Sequence, residues 1–287
     1  MPDHPRMPGS LRRRTAMAGF ATTALSALVR AAALEPGLLR IGGTGMALAA
    51  MRQIGDAFTA TRHQVTIKVL PSLGTGGGLA AVTAAAIDLA LSARQTNDAE
   101  YAKGLRSLAY ARTPIAFVTH PTTGIHGITL AEVARILVGT TRAWPDGTPI
   151  RLVRREPSDA DWAMLRALCP EMAEAVTNAQ ARSGLLTVAT DQENADALER
   201  LPGSFGMMSI GQIRAEARGV VPLSLDGEAP DPNALTAGRY KLSRTLYAVW
   251  RDPPTPDIAK FTGFLRTEQT RELLVGLGHI PLAGTGA

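Results

Sequence analysis

The stretch Leu38-Leu39-Arg40-Ile41-Gly42-Gly43-Thr44-Gly45-Met46 runs from a short apolar strand into a glycine–threonine turn, and a helix follows at once. Met46, Ala50, Ile54 and Phe58 recur at a spacing near four, so residues 44–59 read as a helix with one apolar face. Residues 65–70 alternate as a strand. Residues 74–78 form a glycine-rich turn, residues 79–86 a second helix, and residues 87–92 a third strand. Strand, helix, strand, helix and strand within so short a span predict an α/β fold with parallel pairing.

Further along, residues 115–119, 150–154, 204–209 and part of 240–250 read as strands. Residues 129–138, 159–168, 171–181, a segment from Ile210 and most of 256–276 read as helices. Thr129 with Glu132 three residues on is a capping-box pattern. The Pro-rich stretches 230–232 and 253–256 read as loops, and no internal repeat occurs.

The two glycine turns carry the first functional signal. Each stands between a strand and a helix, where unpaired N–H groups point outward and the helix dipole favours an anion. Glycine lets a ligand approach the backbone, and Thr44, Ser72 and Thr75 add hydroxyl donors. Tight turns without a ligand would have the same composition. A dinucleotide fingerprint fails because Leu79 stands where the last glycine is needed, and the phosphate-loop pattern is absent.

Composition narrows the classes. Hydrophobic residues make up 45% of the 287 and charged residues 19%, as in a globular protein with room for two lobes. The formal charge of +5 is uneven, since residues 1–33 hold five arginines against Asp3 alone. The remainder carries 25 basic and 24 acidic residues, which argues against nucleic acid as a partner. Cys169 is the only cysteine, so no intrachain disulfide, Cys-based metal cluster or lipid-anchoring cysteine is expected.

Residues 1–33 read as an export signal. Arg12-Arg13-Arg14 is the charged region, residues 16–29 are a modestly apolar core, and Ala31-Ala32-Ala33 suits cleavage. Ser10-Leu11-Arg12-Arg13-Arg14-Thr15-Ala16 resembles a twin-arginine signal. Later segments lack 18 uninterrupted apolar residues, so no stable membrane insertion is expected and the protein is placed in the periplasm.

The motifs taken in order resemble the phosphate-binding protein family of phosphate ABC importers, which has the periplasmic binding protein type II fold. The resemblance runs from about Leu38 to Leu282 and rests on Ile41 to Gly45, Leu70 to Gly78, Ile87 to Arg94 and Ile128 to Val133 with Trp144. It continues through Pro149 to Arg154, Gly203 to Gly206, Leu242 to Tyr247, Phe264-Leu265 and Gly278 to Leu282. It implies a two-lobed α/β architecture with a mixed sheet in each lobe. Residues 35–115 plus 235–287 would form lobe 1, and residues 116–234 lobe 2.

The resemblance implies anion contacts at Thr44, Gly45 and Met46, at Thr75 and Gly76, at Ser92 and Arg94, and at Arg154 with Ser158. It implies an oxyanion ligand, phosphate first, and the permease subunits of an ABC importer as partners, with a monomeric receptor. Two departures stand out. Ala93 takes the place where phosphate binders commonly carry an aspartate that accepts a proton from the anion. Pro157-Ser158-Asp159-Ala160 replaces a Gly-Ser-Gly-Thr turn, removing a backbone donor and a hydroxyl and adding a carboxylate. Arg94, Arg154 and Arg155 are the arginines able to pair it.

No catalytic residues, metal ligands or cofactor are expected. The five histidines lack ligand spacing, a G-x-S-x-G elbow is missing, and Asp159 and Asp161 read as helix caps. Two alternatives stay open: a sensor or scaffold on the same fold with a diverged or lost anion site, and an enzyme on a similar frame.

Overall fold

A computed structural model describes residues 37–61 and 64–283. The expected export signal lies outside the described residues.

The chain begins with β1 (Leu38–Gly43), a 3-10 turn (Gly45–Ala47), α1 (Leu48–Thr61), β2 (Thr66–Val69), α2 (Gly74–Thr83), β3 (Leu89–Ser92) and α3 (Asp98–Ala102). It continues with β4 (Leu105–Thr119), a second 3-10 turn (Pro121–Thr123), β5 (Gly127–Ile128), α4 (Leu130–Val138), β6 (Arg151–Arg155), α5 (Ala160–Arg166), α6 (Pro170–Ala181) and β7 (Leu186–Val188). There follow α7 (Asp191–Arg200), β8 (Ser204–Ser209), α8 (Ile210–Ala215), β9 (Val221–Pro222), β10 (Ser224–Leu225), α9 (Pro232–Thr236), β11 (Ser243–Arg251), α10 (Pro256–Phe264), α11 (Glu268–Gly276) and β12 (Ile280–Pro281).

The main strands lie in the order β2-β1-β3-β11-β4-β8-β6-β7. On one side β1 runs parallel to β2 and β3, and β11 is antiparallel to β3 and β4. On the other side β6 runs parallel to β7 and β8, and β8 is antiparallel to β4. Each half therefore holds a mixed sheet. They share β4, whose residues up to Pro114 pair with β11 and whose residues from Ile115 pair with β8. Pro114 sits at the changeover, where its missing N–H costs no ladder bond in the middle of either half.

Each half has its own apolar interior. In the first, Phe58 meets Phe261 and Phe264 edge-on at 5.1 and 5.3 Å, over Ile41, Met51, Ile54 and Leu91. In the second, Phe117 stacks on Phe205 at 5.6 Å with Trp144 against it, over Val133, Ile136 and Val176. Removing such an aromatic ring costs about 3–5 kcal/mol.

Two features differ from the sequence reading. The glycine run 74–78 is the opening of α2, ahead of the expected helix. A Cβ on Gly78 would lie 2.7 Å from the Gly43 Cα, so the run lets α2 rest directly on β1. The strand expected at 115–119 begins at Leu105. A register shift opposite Leu246 and Tyr247 breaks the alternation of its first part and hides it from a period-two reading. Elsewhere α4 carries the expected capping box of Thr129 and Glu132.

Candidate functional site

The first three expected contact places come together at one end of β1 and β3. The Thr44 N–H donates to Leu91 O at 2.9 Å, and the Ala93 N–H donates to the Thr75 hydroxyl at 3.0 Å. The turn after β1 is thereby tied to β3, and β3 to the start of α2. Thr44, Gly45 and Met46 are buried, whereas Gly76 is exposed with open space at its Cβ position.

What faces this turn comes from the other half of the molecule. The carboxylate of Asp191, the first residue of α7, accepts the Met46 N–H at 3.0 Å and the Thr44 hydroxyl at 3.2 Å. Its other oxygen accepts Arg155 Nη2 at 3.3 Å. Arg155 also binds Asp159, through Nε at 2.9 Å and Nη2 at 2.8 Å. The Gln192 amide donates to Gly45 O at 3.1 Å and adds a second tie across the cleft. A third is Arg244, whose guanidinium donates to Asp161 at 2.9 and 3.2 Å.

Three carboxylates thus share two guanidiniums. Burial, then the neighbouring Asp159, pushes the Asp161 carboxyl up to about 6 despite Arg244. Asp191 is also pushed up, first by burial and then by Asp159, against the pull of Arg155. Arg155 Nη1 is buried with no partner in the protein. Arg155 also lines a mostly apolar cavity of about 20 Å³ with Asp161, Trp162, Leu165 and Phe205.

Although the backbone of the third place meets the first two, the side chains of Ser92, Arg94, Arg154 and Ser158 turn elsewhere. The Ser92 hydroxyl closes its own turn, donating to Arg94 O and accepting the Arg94 N–H at 3.2 Å. The Arg94 guanidinium forms a two-pronged pair with Glu100 at 2.7 and 2.8 Å on the surface. Arg154 donates to the carbonyls of Ala179, Gln180 and Arg182 at 2.8–3.1 Å and to Thr187, closing the C-terminal end of α6. Ser158 is exposed. Neighbouring residues of a strand point to opposite faces, so Arg155 is the arginine directed at the cleft and Arg154 is not.

Asp159 caps α5 as its sequence position implies, accepting the Asp161 N–H at 2.9 Å, and it pairs with Arg155 as well. Asp191 lay beyond the sequence reading, which assigns no element to residues 182–203. The available signal was Thr190 with Glu193, a capping box that places Asp191 at a helix start. Only Asn194, Ala195 and Leu198 of α7 are buried, too thin an apolar stripe to flag the helix.

Among the described residues no helix is long and apolar enough to cross a membrane, and no group of three His, Cys, Asp or Glu side chains is placed to hold a metal ion.

The phosphate-binding protein PstS of Borreliella burgdorferi is 22% identical over 200 residues, covering 67% of this chain and 71% of that protein. A structure from Clostridium perfringens, assigned as a phosphate ABC transporter substrate-binding protein and solved with phosphate bound, superposes with a TM-score of 0.72 at 19% identity, over 85% of this chain and 99% of that one. An ABC-type phosphate transport receptor from Vibrio cholerae gives 0.58 at 18% identity, over 85% and 99%. These likenesses establish the two-lobed α/β fold. A family model described as a PBP superfamily domain matches residues 30–268, and the chain belongs to that family.

Proposed function

We propose that this chain is an extracytoplasmic receptor that captures a small tetrahedral oxyanion, phosphate first, between two lobes and presents it to the permease subunits of an ABC importer. One observation carries the reading: a backbone N–H, a hydroxyl and a guanidinium, from Met46, Thr44 and Arg155, converge on a single anionic group. Donors of this kind at the start of a helix bind oxyanions without a metal. The relatives named for phosphate binding support the choice of ligand.

In this reading residues 35–115 plus 235–287 form lobe 1 and residues 116–234 form lobe 2, and hinge closure traps the ligand. The hinge lies where Pro114-Ile115 and Leu242-Ser243 run side by side, with Ile115 N–H donating to Leu242 O at 3.0 Å. The receptor catalyses no reaction and works as a monomer. The leader at residues 1–33 exports it to the periplasm by the twin-arginine route. Isothermal titration with phosphate, sulfate, molybdate, tungstate and arsenate tests the reading: one anion bound per chain is expected, and no heat from any of them defeats it.

A second reading, a sensor or scaffold with a diverged anion site, is favoured by Asp159, Asp161 and Asp191 together. Three carboxylates around the cradle oppose a dianion, and a receptor that needs no cargo would tolerate them.

A further inference from the structure

We infer that Asp191 is a built-in occupant of the oxyanion cradle, the residue that sets how tightly a free anion binds. The inference rests on the reading of the cleft as an oxyanion site. One carboxylate oxygen of Asp191 takes both the Thr44 hydroxyl and the Met46 N–H, and the other takes Arg155. A phosphate or sulfate oxygen would need the same donors, and two anions cannot use them together.

The placement is held by several groups. Thr190 and Glu193 form the capping box that starts α7, and the Gln212 amide donates to Asp191 O at 3.3 Å. Gln192 reaches Gly45 O beside it. The turn is shaped for the approach, since a Cβ on Gly45 would lie 2.7 Å from the Asp191 Cβ. Arg155 is paired with Asp159 as well, which fixes the guanidinium in place while it holds Asp191.

A side chain anchored beside its own acceptor site acts at an effective concentration in the millimolar range or above. A free anion at lower concentration must displace it, and its apparent affinity falls by the factor that this internal competition imposes. Because Asp191 comes from the half opposite Thr44 and Met46, its bonds also tie the two halves together across the cleft.

The test compares the mature chain with its Asp191→Ala and Asp191→Asn variants, each checked for a cooperative thermal transition. Phosphate is titrated calorimetrically, and small-angle scattering is recorded without phosphate. Where phosphate binds, affinity decides: Asp191→Ala is expected to bind at least tenfold more tightly, and equal or weaker binding in both variants overturns the inference while leaving the phosphate reading intact. Where phosphate binds none of the three, scattering decides. An increased radius of gyration in Asp191→Ala then upholds the internal ligand and removes phosphate as cargo, and an unchanged radius overturns both.

Discussion

On one side of the cleft, Thr44, Met46 and Thr75 present hydroxyls and a backbone N–H, and none of the three is charged. On the other, Arg155 stands between Asp159 and Asp191 with Asp161 beside them, and Arg244 reaches Asp161 from the first side. Under the proposed function, Thr44 and Met46 would supply uncharged donors to an anion, and the charged groups opposite would set its affinity, since each carboxylate there adds repulsion. Mutations on the two sides separate these effects.

The largest expected effect comes from removing the arginine that balances the charged side. Arg155→Ala leaves the partly buried Asp159 and Asp191 without their shared cation and is expected to cost about 3 kcal/mol in urea unfolding at pH 7. Adding Asp191→Asn to that variant should restore part of the loss, and no recovery would contradict the assigned pairing.

A second place where the halves meet behaves differently with acid. His279 is buried against Gly211, where any side chain on the glycine would strike the ring, and both ring nitrogens lack partners. Burial, with Arg214 adding to it, pushes the imidazole down to about 4. The neutral form is the folded one, so its stability contribution is complete above the ordinary value near 6.5 and is lost as pH falls toward 4. That loss amounts to about 3 kcal/mol. Asp161 has the opposite sign: raised to about 6, it contributes below the ordinary value of 3.8 and loses that contribution as pH rises through 6. Urea melts between pH 4 and 7 should therefore show a flatter profile in His279→Leu and a steeper acid loss in Asp161→Asn.

The two adjacent arginines of β6 give a sharper contrast. Arg154→Met should lower stability by about 1–3 kcal/mol through the released carbonyls of α6, with phosphate affinity unchanged by calorimetry. A large loss of affinity would place Arg154 in the cleft after all. On the neutral side, Thr44→Val removes a donor that phosphate and Asp191 would share, and should weaken phosphate binding by less than the roughly tenfold worth of one hydrogen bond. Arg94→Ala, at a half-exposed surface pair, should change stability by no more than about 1 kcal/mol and leave affinity alone.

Much of the fold was legible because its signals are local. The turn at Thr44, the apolar face of α1 and the capping box at Thr129 all act within a few residues. The first part of β4 and the whole of α7 were not legible. A bulge breaks the alternation of one, and only a thin stripe of the other is buried.

By itself the sequence determined an alternating α/β chain and a donor-rich turn at a helix start, and it has a stretch at residues 1–33 that reads as an export signal. Only the tertiary structure decided which arginine meets the cradle and what occupies it. Strand parity sends Arg154 to α6 and Arg155 to the cleft, a difference of one residue that composition does not reveal. The partners of Asp191 lie 36 residues away at Arg155 and 147 away at Thr44, so their meeting depends on how the two halves close. Folding brings the Asp191 carboxylate onto the donors of the glycine–threonine turn, because α7 starts opposite that turn.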